Sequence, residues 1–385
     1  MFLTNAYPDF PSSYRGSFIK GMATQLQKSG YQISVVTPKI YDGSHYFEEK
    51  DGIKVYRFPF FAGNKLLIEY QKIPYLRMIL YCVSGFFVSV YTLLKQKCHL
   101  IHVHWVIPTG LIGLVAGTLL RKAFIVTLHG SDLRMAMTKP FLLGIFLRVC
   151  KRAKHITCVS EVQRNQLKQL GIKSEKISIF PMCVEDAFLE VGRRREKDPD
   201  RKTISVVSNR NLMPIYNVLT LIRAIPWVLK EEPDTKFIIA GDGPERERLE
   251  KEAEKLNINS KVQFLGRLPH EAMPDLLSKA DIYVSTSLCD GTSVSLLEAM
   301  ACGTFPVVTD IPSNRQWVSD GKNGFLVPVN EDGTLARRIL DAIRNQALLR
   351  KGQKENLLLI AEKAIWPEHI RKVEEIYSRF ANSRA

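Results

Sequence analysis

Apolar residues fall along this chain in short runs separated by amphipathic stretches, and the alternation occurs twice. In the first half Phe2 to Asn5, Ile33 to Thr37, Leu100 to His104, Phe124 to Leu128, Ile156 to Val159 and Ile177 to Phe180 are mostly apolar runs of strand length. Between them, segments such as Phe18 to Lys28 and Glu161 to Leu170 repeat their apolar positions at helical spacing. Continuous rather than alternating apolar runs predict strands buried on both faces, the pattern of a parallel sheet covered by helices. Phe2 to Asn5 is brief, which predicts either an unusually short first strand or a chain that begins upstream of Met1.

The polar stretch from Glu190 to Lys202, with Gly192-Arg-Arg-Arg-Glu-Lys-Asp-Pro-Asp200, breaks the alternation and reads as a linker between a domain of residues 1–190 and one of residues 200–365. Beyond it the pattern resumes with runs at Ile204 to Ser208, Lys236 to Ala240, Val262 to Leu265, Ile282 to Thr286, Phe305 to Thr309 and Gly324 to Val327. The repeat predicts two doubly wound α/β domains in series, each expected to bind ligands at the carboxyl ends of its strands and to face the other across a cleft. Trp366 to Phe380 sets Ile370, Val373, Ile376 and Tyr377 on one face, so residues 366–385 read as an amphipathic helix crossing back to the N-terminal domain.

A length of 385 residues agrees with two domains. An apolar content of 45% and a charged content of 24% suit packed cores and exclude a disordered chain. The net charge of +15 is lopsided: residues 1–190 hold 24 Lys and Arg against 12 Asp and Glu, and residues 191–385 hold 30 against 27. A basic first half implies contact with an anionic surface, and without a nucleic-acid motif a membrane surface is favoured over nucleic acid. Met78 to Leu94 is uncharged, but Gly85 and its Ser and Thr residues dilute it, so it reads as a buried or membrane-skimming helix rather than a span. Seven cysteines without metal-type pairing, and an opening without a leader pattern, point to reduced thiols in a cytoplasmic protein.

The chemistry concentrates in Asp290-Gly-Thr-Ser-Val-Ser-Leu-Leu-Glu298-Ala-Met-Ala-Cys-Gly303. Gly291, Thr292 and Ser293 are loop and N-cap residues, Val294 to Met300 is apolar, and Gly303 suits a C-terminal stop, so a helix should begin near Ser293. The free amides and positive dipole end of such a start suit a phosphate. Two carboxylates beside a phosphate site would repel it unless they accept hydrogen bonds from sugar hydroxyls. The same letters fit a capping Asp and a solvated helical Glu, and the flanking chain decides between the two.

The run from Ser285 to Asp310, with Gly241-Asp-Gly-Pro244 and Phe264-Leu-Gly-Arg267, resembles the retaining glycosyltransferases of family 4, which have the GT-B fold of two Rossmann-like domains. The first half matches more loosely but collinearly, at Tyr14-Arg-Gly16-Ser-Phe18 with Leu26 and Gly30, at Ile101-His-Val-His104 and at Thr127-Leu-His129-Gly-Ser-Asp132. The resemblance implies an acceptor-binding first domain and a second domain that binds a nucleoside diphosphate sugar. It gives Glu298 the ribose hydroxyls, Asp290 and His129 the transferred sugar, and the phosphates to Arg210, Gly16, Gly291, Thr292, Ser293 and Val294. Two departures stand out. Asp290 replaces the usual Glu, and no Lys follows Arg210, because Tyr216 or Asn217 occupies that place; Arg267 is a candidate substitute. His102 and His104 read as strand-end structural residues.

The resemblance, taken with the basic first half, implies a hexosyltransferase acting with retention on a glycan or lipid-linked acceptor in surface polysaccharide or glycolipid assembly, cytoplasmic or peripheral at the inner face of the membrane. No metal or other cofactor is expected, since Asp198-Pro-Asp200 suits a solvated loop better than a cation site. A nucleotide-sugar epimerase of the same architecture and a binding protein that has lost catalysis are the alternatives. A phosphorylase is disfavoured because no lysine is placed to hold pyridoxal phosphate.

Overall fold

The computed structural model describes residues 1–10, 13, 15–64, 74–195 and 203–381. They divide into two units, Met1–Pro181 with Trp366–Ala385, and Met182–Ile365. Tyr14 and Asp198-Pro-Asp200 lie outside the described residues.

In the first unit β1 (Phe2–Leu3), β2 (Ser34–Lys39), β3 (Phe47–Lys50), β4 (Ile53–Pro59), β5 (Leu100–His104), β6 (Ala123–Leu128), β7 (His155–Cys158) and β8 (Ile177–Ile179) form one sheet in the order β3-β4-β2-β1-β5-β6-β7-β8. Neighbours run parallel except β3, which returns antiparallel along β4. The short β1 is central, pairing Phe2 with Val35 on one side and with His102 on the other. Helices α1 (Ser17–Lys28), α2 (Tyr75–Lys95), α3 (Thr109–Leu119), α4 (Ser131–Ala136), α5 (Pro140–Arg152) and α6 (Glu161–Gln169) follow the strands. Leu3, Val36, Val103, Val126 and Ile156 are buried in one core with Ile112 of α3 and Phe146 of α5.

β3 and β4 are absent from the sequence reading, for a physical reason. β4 carries Lys54 and Arg57 among its apolar residues, and Arg57 is buried only because other segments neutralise it. Its Nη2 donates to Glu48 Oε1 at 2.5 Å and to Pro8 O at 2.7 Å, with Asp9 3.8 Å from its Nε. A buried charge needs such partners, and no local pattern announces them.

The second unit holds β9 (Ser205–Ser208), β10 (Lys236–Ala240), β11 (Val262–Gly266), β12 (Ile282–Ser285), β13 (Phe305–Thr309) and β14 (Phe325–Val327), all parallel, in the order β11-β10-β9-β12-β13-β14. Its helices are α7 (Asp186–Arg194), α8 (Val218–Glu231), α9 (Arg246–Lys255), α10 (Met273–Ser278), α11 (Val294–Ala301), α12 (Asp332–Arg344) and α13 (Gln346–Lys363). The boundary therefore falls at Pro181, ahead of the Glu190 to Lys202 linker read from the sequence. The reason is α7: Phe188 and Leu189 are buried, and the helix packs on α10, α11 and α13. Residues 196–202 of the expected linker lie outside the described residues.

The last helix, α14 (Trp366–Ala381), belongs to the first unit, where Ile370, Val373, Ile376 and Tyr377 are buried. Tyr377 Oη meets His102 Nδ1 of β5 at 2.6 Å, which ties the last helix to the centre of the sheet.

Candidate active site

In the second sheet β9 and β12 are neighbours, and the chain leaves them to opposite sides, through β10 and β11 on one and β13 and β14 on the other. Such a reversal opens a crevice beyond the carboxyl ends of the two strands. Arg210 lies in the loop after β9 and Asp290 in the loop after β12, so the topology alone brings them to the same crevice.

They meet there. Arg210 is 6% exposed. Its Nη2 donates to Asp290 Oδ2 and its Nη1 to Ser293 Oγ, both at 2.6 Å. The second carboxylate oxygen of Asp290 accepts the Gly291 N–H at 2.8 Å. Ser293 is the N-cap of α11, where its Oγ also accepts the Leu296 N–H at 3.3 Å, and Val294 opens the helix. Thr292 hydrogen-bonds through Oγ1 to Gly291 O at 2.9 Å. Gly303, at φ 71°, follows the end of the helix with a backbone that suits glycine. Arg210, Asp290 and Ser293 thus form one buried fork at a helix start. Burial opposes the charge on Arg210, but the Asp290 carboxylate, followed by Tyr216 and Tyr283, outweighs it and raises the pKa, so the cation is permanent.

Tyr216 is one of the two residues, with Asn217, in the stretch where the family resemblance expects a second cation. Its ring lies 4.1 Å from the Arg210 guanidinium carbon, a cation–π contact that fixes the arginine instead of adding charge. Arg267 is exposed just beyond β11, an edge strand two places from β9, and no hydrogen bond or ion pair joins it to Arg210 or Asp290 among the described residues.

Glu298, inside α11, is 5% exposed and makes a separate pair: its Oε1 lies 2.7 Å from His270 Nε2. His270 Nδ1 is 3.8 Å from Glu185. Burial by itself would lower the His270 pKa, yet the hydrogen bond and charge of Glu298, with Glu185 and Glu271, hold it above the ordinary value. Sequence reasoning misses His270, which is one polar residue at the start of a short 3-10 turn, 28 positions from its partner.

The remaining two expected residues lie in the first unit. Gly16 is the N-cap of α1 at φ 70°, ψ 28°, and a Cβ there would come 2.3 Å from Ala6 O, so the turn after β1 requires glycine. His129 follows β6 at its carboxyl end, its Nε2 3.2 Å from His104 Nδ1, its ring stacked on His104 and tilted against Trp105 and Phe18. Burial lowers its pKa to about 3, so the ring is neutral near pH 7. Asp132 braces this loop: Oδ2 accepts the Val106 N–H, and Oδ1 accepts those of Gly130 and Leu133, all at 3.0 Å.

Two doubly wound units, one with an arginine–carboxylate fork at a helix start, define a protein of the GT-B class. The chain belongs to the group 1, family 4 glycosyltransferases: residues 16–188 match the family described as Glycosyltransferase Family 4, and residues 192–357 match Glycosyl transferases group 1. It is a glycosyltransferase that uses a nucleotide sugar. Similar proteins include the phosphatidylinositol N-acetylglucosaminyltransferase GPI3 subunit of Saccharomyces cerevisiae, 22% identical with 94% of this chain and 79% of that protein covered. The alpha-monoglucosyldiacylglycerol synthase of Streptococcus pneumoniae is 25% identical, with 84% and 74% covered. Among solved structures, Anabaena HepE in complex with UDP-glucose superposes with a TM-score of 0.75 over 98% of this chain and 99% of that one, at 18% identity.

Proposed function

We propose that this protein transfers a hexose from a UDP-sugar, with retention at the anomeric carbon, to a hydroxyl of a lipid-linked acceptor at the inner face of the cytoplasmic membrane, in glycolipid or surface polysaccharide assembly. The observation that carries the reading is the fork of Arg210, Asp290 and Ser293 at the start of α11, where a fixed cation and a helix N-terminus converge on one crevice. The leaving diphosphate takes its charge stabilisation from Arg210 and from the amides of Gly291 to Val294, and Gly16 lets backbone approach the phosphates in the same role. Glu298 accepts the ribose hydroxyls while His270 holds its Oε1; Asp290 and His129 orient the sugar. His129, being neutral, donates or accepts a hydrogen bond without bringing charge to the reacting carbon.

In the reaction the acceptor oxygen bonds to the anomeric carbon as the bond from that carbon to the phosphate oxygen breaks, on the same face, and the acceptor proton passes to the leaving phosphate. The scheme needs no metal ion, because the leaving charge is met by Arg210 and the helix start. The donor class is supported by the UDP-glucose complex of HepE, and the lipid acceptor by the phosphatidylinositol and diacylglycerol in the names of the two relatives.

The test is transfer of labelled sugar from UDP-, GDP- and ADP-sugars into a phospholipid and diacylglycerol extract, with the anomeric configuration of the product read by NMR. Wild type should label lipid from a UDP-sugar with retention, equally in EDTA, and Glu298→Ala should lose about 10²-fold or more of that rate. Inversion, or full activity in Glu298→Ala, would overturn the site; an isomerised sugar nucleotide formed from donor alone would replace transfer by epimerisation.

A further inference from the structure

The outward face of α2 is apolar along nearly its whole length. Leu76, Ile79, Val83, Phe87, Tyr91 and Leu94 are 48–84% exposed and recur at three- and four-residue steps, so they form one stripe along a 21-residue helix. The inward face buries Gly85, Ser89 and Thr92 beside Tyr81 and Leu93. A soluble helix normally turns polar residues to solvent on its outward face. Neighbouring helices expose apolar side chains too: α3 packs on α2 and exposes Leu119 at 62%, and α5 packs on α3 and exposes Phe141 at 75%. An apolar face of this extent marks a surface that something covers.

Charge identifies the occupant. Between Pro74 and Ser160, the span that contains these helices, there are eleven Lys and Arg and one acid, Asp132, which is buried. Arg77 and Lys95 stand near the two ends of the stripe, and Lys139 reaches the Tyr75 hydroxyl at 3.4 Å. An apolar stripe with a basic rim complements a bilayer that carries anionic headgroups over acyl chains. A second copy of the chain laid stripe to stripe would instead bring its own Arg77 and Lys95 against these.

The helix is long and apolar enough to cross a membrane, but its contacts keep it on the sheet. It packs on β4 and β2, Ser84 Oγ donates to Pro59 O at 2.8 Å, and the Tyr81 hydroxyl bonds Asn5 Oδ1. We propose that α2, with the adjoining faces of α3 and α5, is a membrane-docking surface: α2 lies flat in the headgroup region of an anionic bilayer with its stripe toward the acyl chains. This rests on the membrane-side acceptor of the proposed function and gives it a point of contact.

The experiment is co-sedimentation of the full chain with vesicles of phosphatidylcholine alone or with about one-third phosphatidylglycerol, at low and high salt. Wild type should sediment with the anionic vesicles and be released by salt. Leu76→Ser/Phe87→Ser, both exposed positions, should lose at least about ten-fold in partition. Arg77→Glu/Lys95→Glu should lose the preference for the anionic lipid, and UDP should raise the melting temperature of all three proteins alike. Equal sedimentation of wild type and the Leu76/Phe87 variant overturns the surface. So does a wild type that stays in solution, or one that self-associates through the stripe in analytical ultracentrifugation without binding vesicles. If detergent-dispersed lipid is glycosylated while vesicles are not bound, the docking surface fails and the reaction stands; if vesicles are bound through the stripe but no lipid is labelled, the surface stands and the acceptor is wrong.

Discussion

Arg210 is held from three directions, by Asp290, Ser293 and the Tyr216 ring, and each contact uses a different part of the guanidinium. A lysine could keep the charge but not the fork. Arg210→Lys should therefore fold and bind donor yet lose most of kcat, whereas Arg210→Ala should lose about 10²–10³ in kcat/KM and also stability, since Asp290 is left without its cation. Steady-state kinetics beside a melting curve separates the two losses; unchanged kcat/KM in Arg210→Ala would remove Arg210 from the reaction. His270 gives a pH signature. Its pKa is raised in the folded state, so the charged pair with Glu298 contributes fully below the ordinary imidazole value of about 6.5 and fades as pH rises through the raised value. In urea unfolding, the stability difference between wild type and His270→Gln should be larger at pH 6 than at pH 8.5. A difference that does not change with pH would mean that the charge on His270 plays no part.

At the level of elements, the entry into α1 depends on a left-handed glycine, Gly16 at φ 70°. Gly16→Ala would place a methyl group 2.3 Å from Ala6 O on a left-handed residue, where the backbone term alone costs about 1–2 kcal/mol. The variant should melt clearly lower than wild type; an unchanged melting temperature would show that the turn can rearrange. Elements such as α11 are legible in the sequence because cap, apolar run and stop residue all lie within one short segment, from Ser293 to Gly303. The same holds for strands like β10 and β13, which are uninterrupted apolar runs once their ends are set. β4 is not legible, because Arg57 is made tolerable by Asp9 and Glu48 from other elements. The Glu298–His270 pair and the stacking of Tyr216 on Arg210 escape for the same reason: side chains brought together by folding leave no spacing rule in the chain. The Asp290 to Glu298 run can be read from its letters; the partners that hold it cannot.

Over the whole molecule, the first unit is discontinuous and the second is not, since α14 completes the unit that begins at Met1. Ile370, Val373, Ile376 and Tyr377 are each 6% exposed or less, and burial of a large apolar side chain contributes about 1.5–3 kcal/mol. Together they rival the whole stability of an ordinary domain, about 5–15 kcal/mol. Truncation after Ile365 should therefore unfold the first unit while leaving the second with its UDP-induced rise in melting temperature. A truncated protein with both thermal transitions intact would contradict this. The order of synthesis gives the same feature another meaning. As the ribosome extends the chain, the unit containing the Arg210 fork has all its residues before α14 is made, whereas β5 must wait for Tyr377 to reach His102. The nascent protein thus holds a complete second unit first and presents an unfinished first unit, with the apolar seats of Ile370, Val373 and Ile376 uncovered, to the cell's chaperones until the last helix emerges.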